Sequence, residues 1–272
     1  MTLRKWPLIW TIMMIAIVIA GCSGCSGRMP GSKTGTFSVE SSYIQESDEH
    51  LSINAEYPVL KGFPGADQLN AEIREKVEVA ATEVRNAALE LEGREGFVAS
   101  LNSNYQYFHN KNLVSLWMNW DNYTGGAHGL YWMDSYTFNT DTGEIYTFPG
   151  LFLEGAGGAE YVTNKILEEI AGSDYYFETA ADKIIAYEND YPFLINGEEL
   201  IVYFQLYGLA PYVAGMQSFS FSAYELESFL KPEIAIAMKG QDPVPIQLLG
   251  KRFFEGERRI TPNLYLMFVF GV

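Results

Sequence analysis

Apolar and polar positions alternate along much of the chain, which is the pattern of β-strands with one buried face. The strands predicted from it span residues 37–46, 51–59, 97–109, 113–120, 130–138, 144–148, 193–195, 198–206 and 217–221. Polar or glycine-containing turns separate neighbouring strands, as at Asn139 to Gly143 and at Asn196-Gly197. The Asn-Gly pair favours a type I′ turn, in which both central residues have positive φ. We therefore expect antiparallel hairpins.

Apolar residues at three-four spacing predict helices between these strands. The longest is 66–91, and alanine along much of its apolar face indicates close packing on a sheet. Shorter helices are predicted at 158–170 and 178–188. Ser222-Ala-Tyr-Glu225 is a capping box, which predicts a short helix through Leu230.

The order of these elements predicts an α+β fold, with antiparallel sheets and hairpins packed against a few amphipathic helices. The elements fall into two groups, residues 37–105 and 106–231, which we interpret as two small modules in tandem. Residues 232–272 form a tail outside both modules.

The N-terminus has the features of a bacterial lipoprotein signal peptide. Arg4 and Lys5 precede a nearly continuous apolar run at 8–20, which is too short for a typical membrane span. The run ends in Ile19-Ala20-Gly21-Cys22, which resembles a lipobox, so we predict cleavage after residue 21 and lipidation of Cys22. An uncut signal anchor is the alternative. Lipid chains would hold the protein on the extracytoplasmic face of the cell membrane.

The region after the signal peptide is predicted to be a flexible tether, residues 22–36, rich in glycine and serine. The chain has two cysteines, Cys22 and Cys25, and both lie in this region. We therefore expect neither a disulfide framework nor a cysteine metal site in the folded part.

The chain is strongly acidic, with a formal charge of −16. Loss of residues 1–21 would remove Arg4 and Lys5 and make the charge −18. This charge repels nucleic acid and anionic lipid, and it favours a cationic partner. A second interpretation is that the acidity only keeps the protein soluble.

A glycine-rich turn, Asn122-Tyr-Thr-Gly-Gly-Ala-His-Gly129, lies between two aromatic predicted strands. Glycine is used where the backbone needs positive φ or where another group must come close. Three interpretations of its histidine stay open: a hydrogen bond to the turn backbone, contact with a ligand, or metal binding and catalysis. The candidate ligand contacts in this turn are Tyr123, Thr124, Gly125, Gly126 and His128.

Candidates for chemistry are few. Asp121 could orient His128 as a general base, and His109 with His128 and a carboxylate could hold zinc. No serine or cysteine nucleophile motif accompanies them, so we predict neither a catalytic set, nor a metal, nor a cofactor. Asp134, Asp141 and Glu144 are interpreted as solvated hairpin residues.

Two tyrosines later in the chain, Tyr207 and Tyr212, bracket Pro211. We interpret them as core and turn residues, with a sugar-stacking platform as the alternative, and we keep them as candidate ligand contacts.

These motifs resemble a pair of bacterial extracytoplasmic domains of unknown function. That pair is shared by the anti-sigma-V factor ectodomain, the N-terminal region of a peptidoglycan deacetylase and various lipoproteins. The matching pieces stand in the family order: Tyr57-Pro58, Leu69-Asn-Ala-Glu-Ile73, Thr124-Gly-Gly-Ala-His-Gly129, Phe138-Asn139, Thr142-Gly143 and Tyr207-Gly-Leu-Ala-Pro-Tyr-Val-Ala-Gly215. The resemblance covers about residues 40–231. The stretch 244–262 loosely resembles the start of a copper amine oxidase-like N-terminal domain.

The resemblance implies a binding role, because this type of ectodomain in the anti-sigma-V factor binds lysozyme. The few residues before Leu8 leave no room for a sigma-binding domain, and no deacetylase domain is expected. We therefore expect a lipid-anchored extracytoplasmic protein that binds a cell-wall component such as peptidoglycan or a cationic protein such as lysozyme. The alternatives are a cell-wall modifying enzyme and a sensory or structural partner of another membrane protein.

Overall fold

The computed structural model describes residues 36–246, which contain eight strands and four α-helices. The strands are β1 (Ser38–Ser47), β2 (Leu51–Lys61), β3 (Ala99–Asn110), β4 (Leu113–Tyr123), β5 (Leu130–Asn139), β6 (Phe193–Asn196), β7 (Glu199–Phe204) and β8 (Gln217–Ser222). The helices are α1 (Ala66–Leu91), α2 (Gly158–Ile170), α3 (Ala180–Ile185) and α4 (Pro232–Met238). None of the helices within 36–246 is long and apolar enough to cross a membrane.

The predicted α+β class is confirmed. Strands β1 to β5 form one sheet in sequence order, and β6 to β8 form a second. All neighbouring strands are antiparallel except β2 and β3, which are parallel because the long helix α1 connects them. The predicted module boundary after residue 105 falls within β3, in the middle of the larger sheet.

The larger sheet is covered on both faces at its centre. Helix α1 packs on one face against β2, β3 and β4. The smaller sheet and helices α2 to α4 pack on the other face. Strand β4 accordingly sends Leu116, Met118 and Trp120 towards α1, and Leu113 and Trp117 towards the smaller sheet. A strand buried on both faces has a nearly continuous apolar sequence, as 113–120 does.

Several predicted elements are absent or shorter. Residues 144–148 form only an isolated bridge from Ile145 to Phe138, although Tyr146 and Phe148 are buried in the core. The third helix spans 180–185 rather than 178–188 and is followed by positive φ at Glu188 and Asn189. Residues 223–229 form successive turns instead of a helix.

Two further differences concern the smaller sheet and the tail. In the β6–β7 turn Asn196 pairs with Glu199, so the central residues are Gly197 and Glu198, and only Gly197 has positive φ (64°). That is the φ pattern of a type II′ turn rather than the predicted type I′. Helix α4, which the sequence did not predict, buries Ile234 and Met238 in the core beside the smaller sheet.

Several predictions fall outside the described residues. These are the signal peptide at 1–21, the lipidation of Cys22, all of the tether except residue 36, and the tail after 246. They stay predictions.

Candidate functional site

The glycine turn connects β4 to β5 at one end of the larger sheet. It meets a second loop, residues 207–215, from a distant part of the chain. Ring contacts join His128 of the turn to Tyr212, whose ring stacks on the imidazole at a centroid distance of 3.8 Å. Tyr207 and Tyr131 lie next to Tyr212, at 5.8 and 6.0 Å between ring centroids. We call these four side chains, His128, Tyr131, Tyr207 and Tyr212, the aromatic cluster.

The carbonyl oxygen of Gly129 holds the cluster together. It accepts a hydrogen bond from the Tyr212 hydroxyl at 2.9 Å and one from Nδ1 of His128 at 2.9 Å. Because a carbonyl only accepts, Nδ1 carries the proton, and in the neutral imidazole Nε2 then accepts from the Tyr207 hydroxyl at 3.3 Å. His128 thus makes the backbone contact that one of the three interpretations required.

The absence of a side chain at Gly129 is required by its surroundings. A Cβ atom there would lie 2.6 Å from the carbonyl oxygen of Asn122, closer than real contacts permit. Gly215, which ends the second loop, has φ of 73°, and its Cβ would lie 3.2 Å from the Tyr131 hydroxyl. Gly129 therefore permits the close approach of the glycine turn to Asn122, and Gly215 permits the approach of the second loop to Tyr131.

Tyr207 is held in a conformation that few non-glycine residues adopt. Its φ is 60°, which costs about 1–2 kcal/mol for an L-residue. Lys183 of α3 donates from Nζ to the Tyr207 carbonyl at 3.1 Å, and the amide of Gly208 donates to the Gln205 carbonyl at 2.8 Å. These bonds fix a strained backbone that presents the tyrosine ring with 45% of its surface exposed.

The remaining candidates of the turn lie around this cluster. The hydroxyl of Tyr123 donates across the turn to the Gly126 carbonyl at 3.0 Å, and its ring stacks on Phe97, away from His128. Thr124 is exposed at the tip of the turn, and Gly125 has φ of 96°. Three of the seven predicted ligand contacts, His128, Tyr207 and Tyr212, are brought together, and the other four belong to the same turn as His128.

Sequence reasoning missed Tyr131 and Tyr175, which complete the site. Tyr131 is the second residue of β5, and burial, followed by the nearby Tyr212 and Tyr175, raises the pKa of its hydroxyl to about 12. The Tyr175 hydroxyl donates to the Ala214 carbonyl at 3.2 Å. Nothing in the sequence near these tyrosines distinguishes them from core residues, because their role follows from the approach of the 207–215 loop.

The suggested chemical arrangements of His128 are not formed. Oδ1 of Asp121 accepts from Asn102 at 3.4 Å, and no hydrogen bond or ion pair in 36–246 joins Asp121 to His128. His109 lies beside the β3–β4 turn, opposite Val114, whereas the glycine turn follows the other end of β4. The two histidines are thus separated by most of a strand, on the order of 30 Å, so they cannot share a metal ion. The part of the chain that the structure describes contains no group of three metal-binding side chains.

Two of the three hairpin carboxylates pair with lysines from distant parts of the chain. Asp134 pairs with Lys76 at 3.0 Å, and Glu144 lies 3.7 Å from Lys231. The amide of Asp141 donates to Oδ1 of Asn139 at 2.8 Å within the turn. Asp141 thus lies in its turn as interpreted, whereas Asp134 and Glu144 also pair with lysines outside the hairpin.

Asp121 provides a pH-dependent test of the sheet beneath the turn. Burial raises the pKa of its carboxyl above the ordinary 3.8, and the hydrogen bond from Asn102 partly opposes this. The folded state therefore binds the proton more tightly than the unfolded state, and the free energy of unfolding falls as pH rises from 3.8 through the raised pKa. We expect Asp121→Asn to raise the Tm at pH 7, and the gain to vanish below pH 3.8.

Thermal unfolding monitored by circular dichroism across this pH range measures the effect. Asp134→Asn is the matched control, since it removes the carboxylate partner of Lys76 and should bring no gain at pH 7. If the Tm of Asp121→Asn differed from that of the wild-type chain by the same amount at every pH, the pH dependence could not be assigned to the raised pKa of Asp121.

Comparison with known proteins gives partial matches. Residues 44–131 match the family model "Deacetylase PdaC". The match begins within β1 and ends at Tyr131, so it includes the glycine turn but not the 207–215 loop. This part of the chain therefore resembles the domain that the model describes, as predicted. No curated protein matches the chain in sequence.

Two solved structures resemble the chain in fold. A DUF3298 family member from Bacteroides fragilis aligns with a TM-score of 0.56 and 18% identity, and the alignment covers 77% of this chain and all of that one. A DUF3298 family protein from Pseudomonas aeruginosa aligns with a TM-score of 0.48 and 14% identity over 75% of this chain and 98% of that one. The first likeness supports the fold and says nothing about a ligand.

Proposed function

We propose that this protein is an extracytoplasmic binding protein, anchored to the membrane by a lipid on Cys22, and that it binds a cationic protein of the cell envelope such as lysozyme. The main support for the proposal is that the glycine turn and the 207–215 loop come together at one end of the larger sheet. There they expose aromatic rings to solvent. Exposed tyrosines that cost little conformational entropy on binding are typical of protein interfaces.

The apolar surface extends beyond the cluster. Leu130, Phe97 and Val98 are exposed at the same end of the sheet, and Val213 of the second loop has 89% of its surface exposed. Several exposed apolar residues at one end of a sheet are typical of an interaction surface.

The charge at this end supports a cationic partner. Asp48 and Glu49 lie in the β1–β2 turn, and Glu92 and Glu95 lie between α1 and β3, so all four are at the end of the sheet that carries the glycine turn. None of the four forms an ion pair with another residue of 36–246. Uncompensated carboxylates beside exposed rings would attract and steer a basic protein.

Tyr207→Ala is expected to weaken the binding of hen-type lysozyme by at least about tenfold, because an exposed aromatic anchor would be lost. Isothermal titration calorimetry at low salt measures the affinity. Tyr224→Ala is the matched control, since Tyr224 is another exposed tyrosine, outside the cluster, with 58% of its surface accessible. Absence of lysozyme binding by the wild-type chain, or an unchanged affinity in Tyr207→Ala, would refute this proposal.

A further inference from the structure

A row of polar side chains crosses the larger sheet on the face opposite α1. Its members pair directly from strand to strand: Gln45 with Asn54, Asn54 with Asn102, Asn102 with Asp121, and Asp121 with Tyr131. We call these five residues the polar row. With strands about 4.8 Å apart, the row extends for about 19 Å.

The row lies on the part of this face that the smaller sheet leaves open. The core on this face includes Phe108, Leu113, Trp117 and Met133 of the larger sheet, and Tyr131 packs against its edge. At the glycine-turn end, Gln45 and Asn54 are exposed, and Asn102, Asp121 and Tyr131 are partly exposed. A ligand therefore has full access to Gln45 and Asn54 and partial access to the other three members.

Three of the five members of the row, Asn54, Asn102 and Asp121, are of types that strands normally avoid. Asparagine and aspartate are depleted in β-strands, because they pack poorly and compete for backbone hydrogen bonds. A second pair, Asn104 and Asn119, stands next to the row, with Nδ2 of Asn119 donating to Oδ1 of Asn104 at 2.9 Å. Such a concentration on central strands weakens the sheet without adding to the core, which indicates a binding role.

Hydrogen bonds within the row orient its amides. Nε2 of Gln45 donates to Oδ1 of Asn54 at 3.0 Å, and Nδ2 of Asn102 donates to Oδ1 of Asp121 at 3.4 Å. Each side-chain amide has two donor hydrogens and an acceptor oxygen with two lone pairs, so these bonds leave capacity for a ligand. Fixed groups that both donate and accept are suited to hydroxyl groups, which do the same.

We propose that the polar row binds a neutral, hydroxyl-rich chain, that is, a glycan of the cell envelope, laid across the strands with one sugar ring against the aromatic cluster. Charge favours this occupant over a polyanion or a polycation, since the row contains one carboxylate and neither lysine nor arginine. Its last member, Tyr131, belongs to the cluster and lies 6.0 Å from the Tyr212 ring, so the row leads to a surface on which a sugar can stack. The inference rests on the proposed extracytoplasmic location but not on lysozyme binding.

The test uses the purified full-length chain with chitohexaose, a β-1,4-linked oligomer of N-acetylglucosamine, and with cellohexaose. Calorimetry at about 0.5 M NaCl screens ionic contacts, so the affinity measured is that of neutral groups. The double variant Asn54→Val with Asn102→Val removes two amides and introduces a residue that strands favour, so the fold is retained. We expect wild-type binding to at least one oligomer and a loss of about tenfold or more in the double variant.

Ser220→Val is the matched control, because Ser220 is an exposed position on β8 of the other sheet. The affinity of this variant for the oligomer should equal that of the wild-type chain. The inference is overturned if the wild-type chain binds neither oligomer, or if the double variant binds as tightly as the wild-type chain. Lysozyme binding at low salt, measured on the same double variant, separates the two proposals. Lysozyme binding should persist in the double variant, whereas Tyr207→Ala should weaken it.

Discussion

Trp117→Ala is expected to lower the free energy of unfolding by about 3–5 kcal/mol, the largest loss of stability predicted for this protein. Trp117 lies on the central strand β4 and has none of its surface exposed. Its removal would leave a cavity between the larger sheet and the layer formed by β6 to β8 and the short helices, which cannot collapse to fill it. Urea unfolding followed by tyrosine fluorescence and circular dichroism measures the loss.

Trp117→Phe is the control for this prediction. Nε1 of Trp117 is buried and has no hydrogen-bond partner within residues 36–246. Phenylalanine keeps one aromatic ring and removes the rest of the indole, including an N–H group that makes no hydrogen bond, so its cavity is smaller and its loss of stability should be well below that of alanine. Equal losses in the two variants would contradict the explanation by cavity size.

Gly129→Ala is expected to lower stability by about 2 kcal/mol, which corresponds to a fall in Tm of about 4–8 °C for a domain of this size. The added Cβ would lie 2.6 Å from the Asn122 carbonyl oxygen, so the backbone of the turn must shift. That shift would displace the carbonyl that accepts from His128 and Tyr212. Lysozyme binding should therefore weaken together with stability, measured by calorimetry and thermal unfolding.

Gly126→Ala offers a control in the same turn. A Cβ at Gly126 would have its nearest neighbour, the His128 carbonyl oxygen, at 3.7 Å, an ordinary van der Waals distance. Stability and binding should both stay close to those of the wild-type chain. If Gly126→Ala is as damaging as Gly129→Ala, the glycine turn needs general flexibility rather than the close approach at Gly129.

The individual parts of the site could be predicted from the sequence, but the contacts between them could not. The glycine turn was visible because glycines flank one histidine between aromatic strands. His128 and Tyr207 are 79 residues apart, and their contact follows from the packing of the smaller sheet against β4 and β5. No local pattern encodes that packing, since apolar periodicity shows which face is buried but not what covers it.

The wrong secondary-structure predictions have a similar cause. Residues 144–148 bury alternate side chains as a strand would, yet only the bridge from Ile145 to Phe138 forms before a 3₁₀ helix begins at Pro149. In 222–230 the expected cap bond is present, with the Glu225 amide donating to Oγ of Ser222 at 3.1 Å, but the following residues continue as turns. Local capping defines where a helix can begin, and tertiary contacts decide whether it continues.

The sequence by itself determined the α+β class, the long helix α1, most of the strands and the glycine turn, because each leaves a periodic or turn-specific pattern within a few residues. Tertiary structure alone decided that His128, Tyr207 and Tyr212 share one cluster and that Gln45, Asn54, Asn102, Asp121 and Tyr131 share one row. Strand order and register bring together residues that are distant in sequence, and these depend on how whole faces pack.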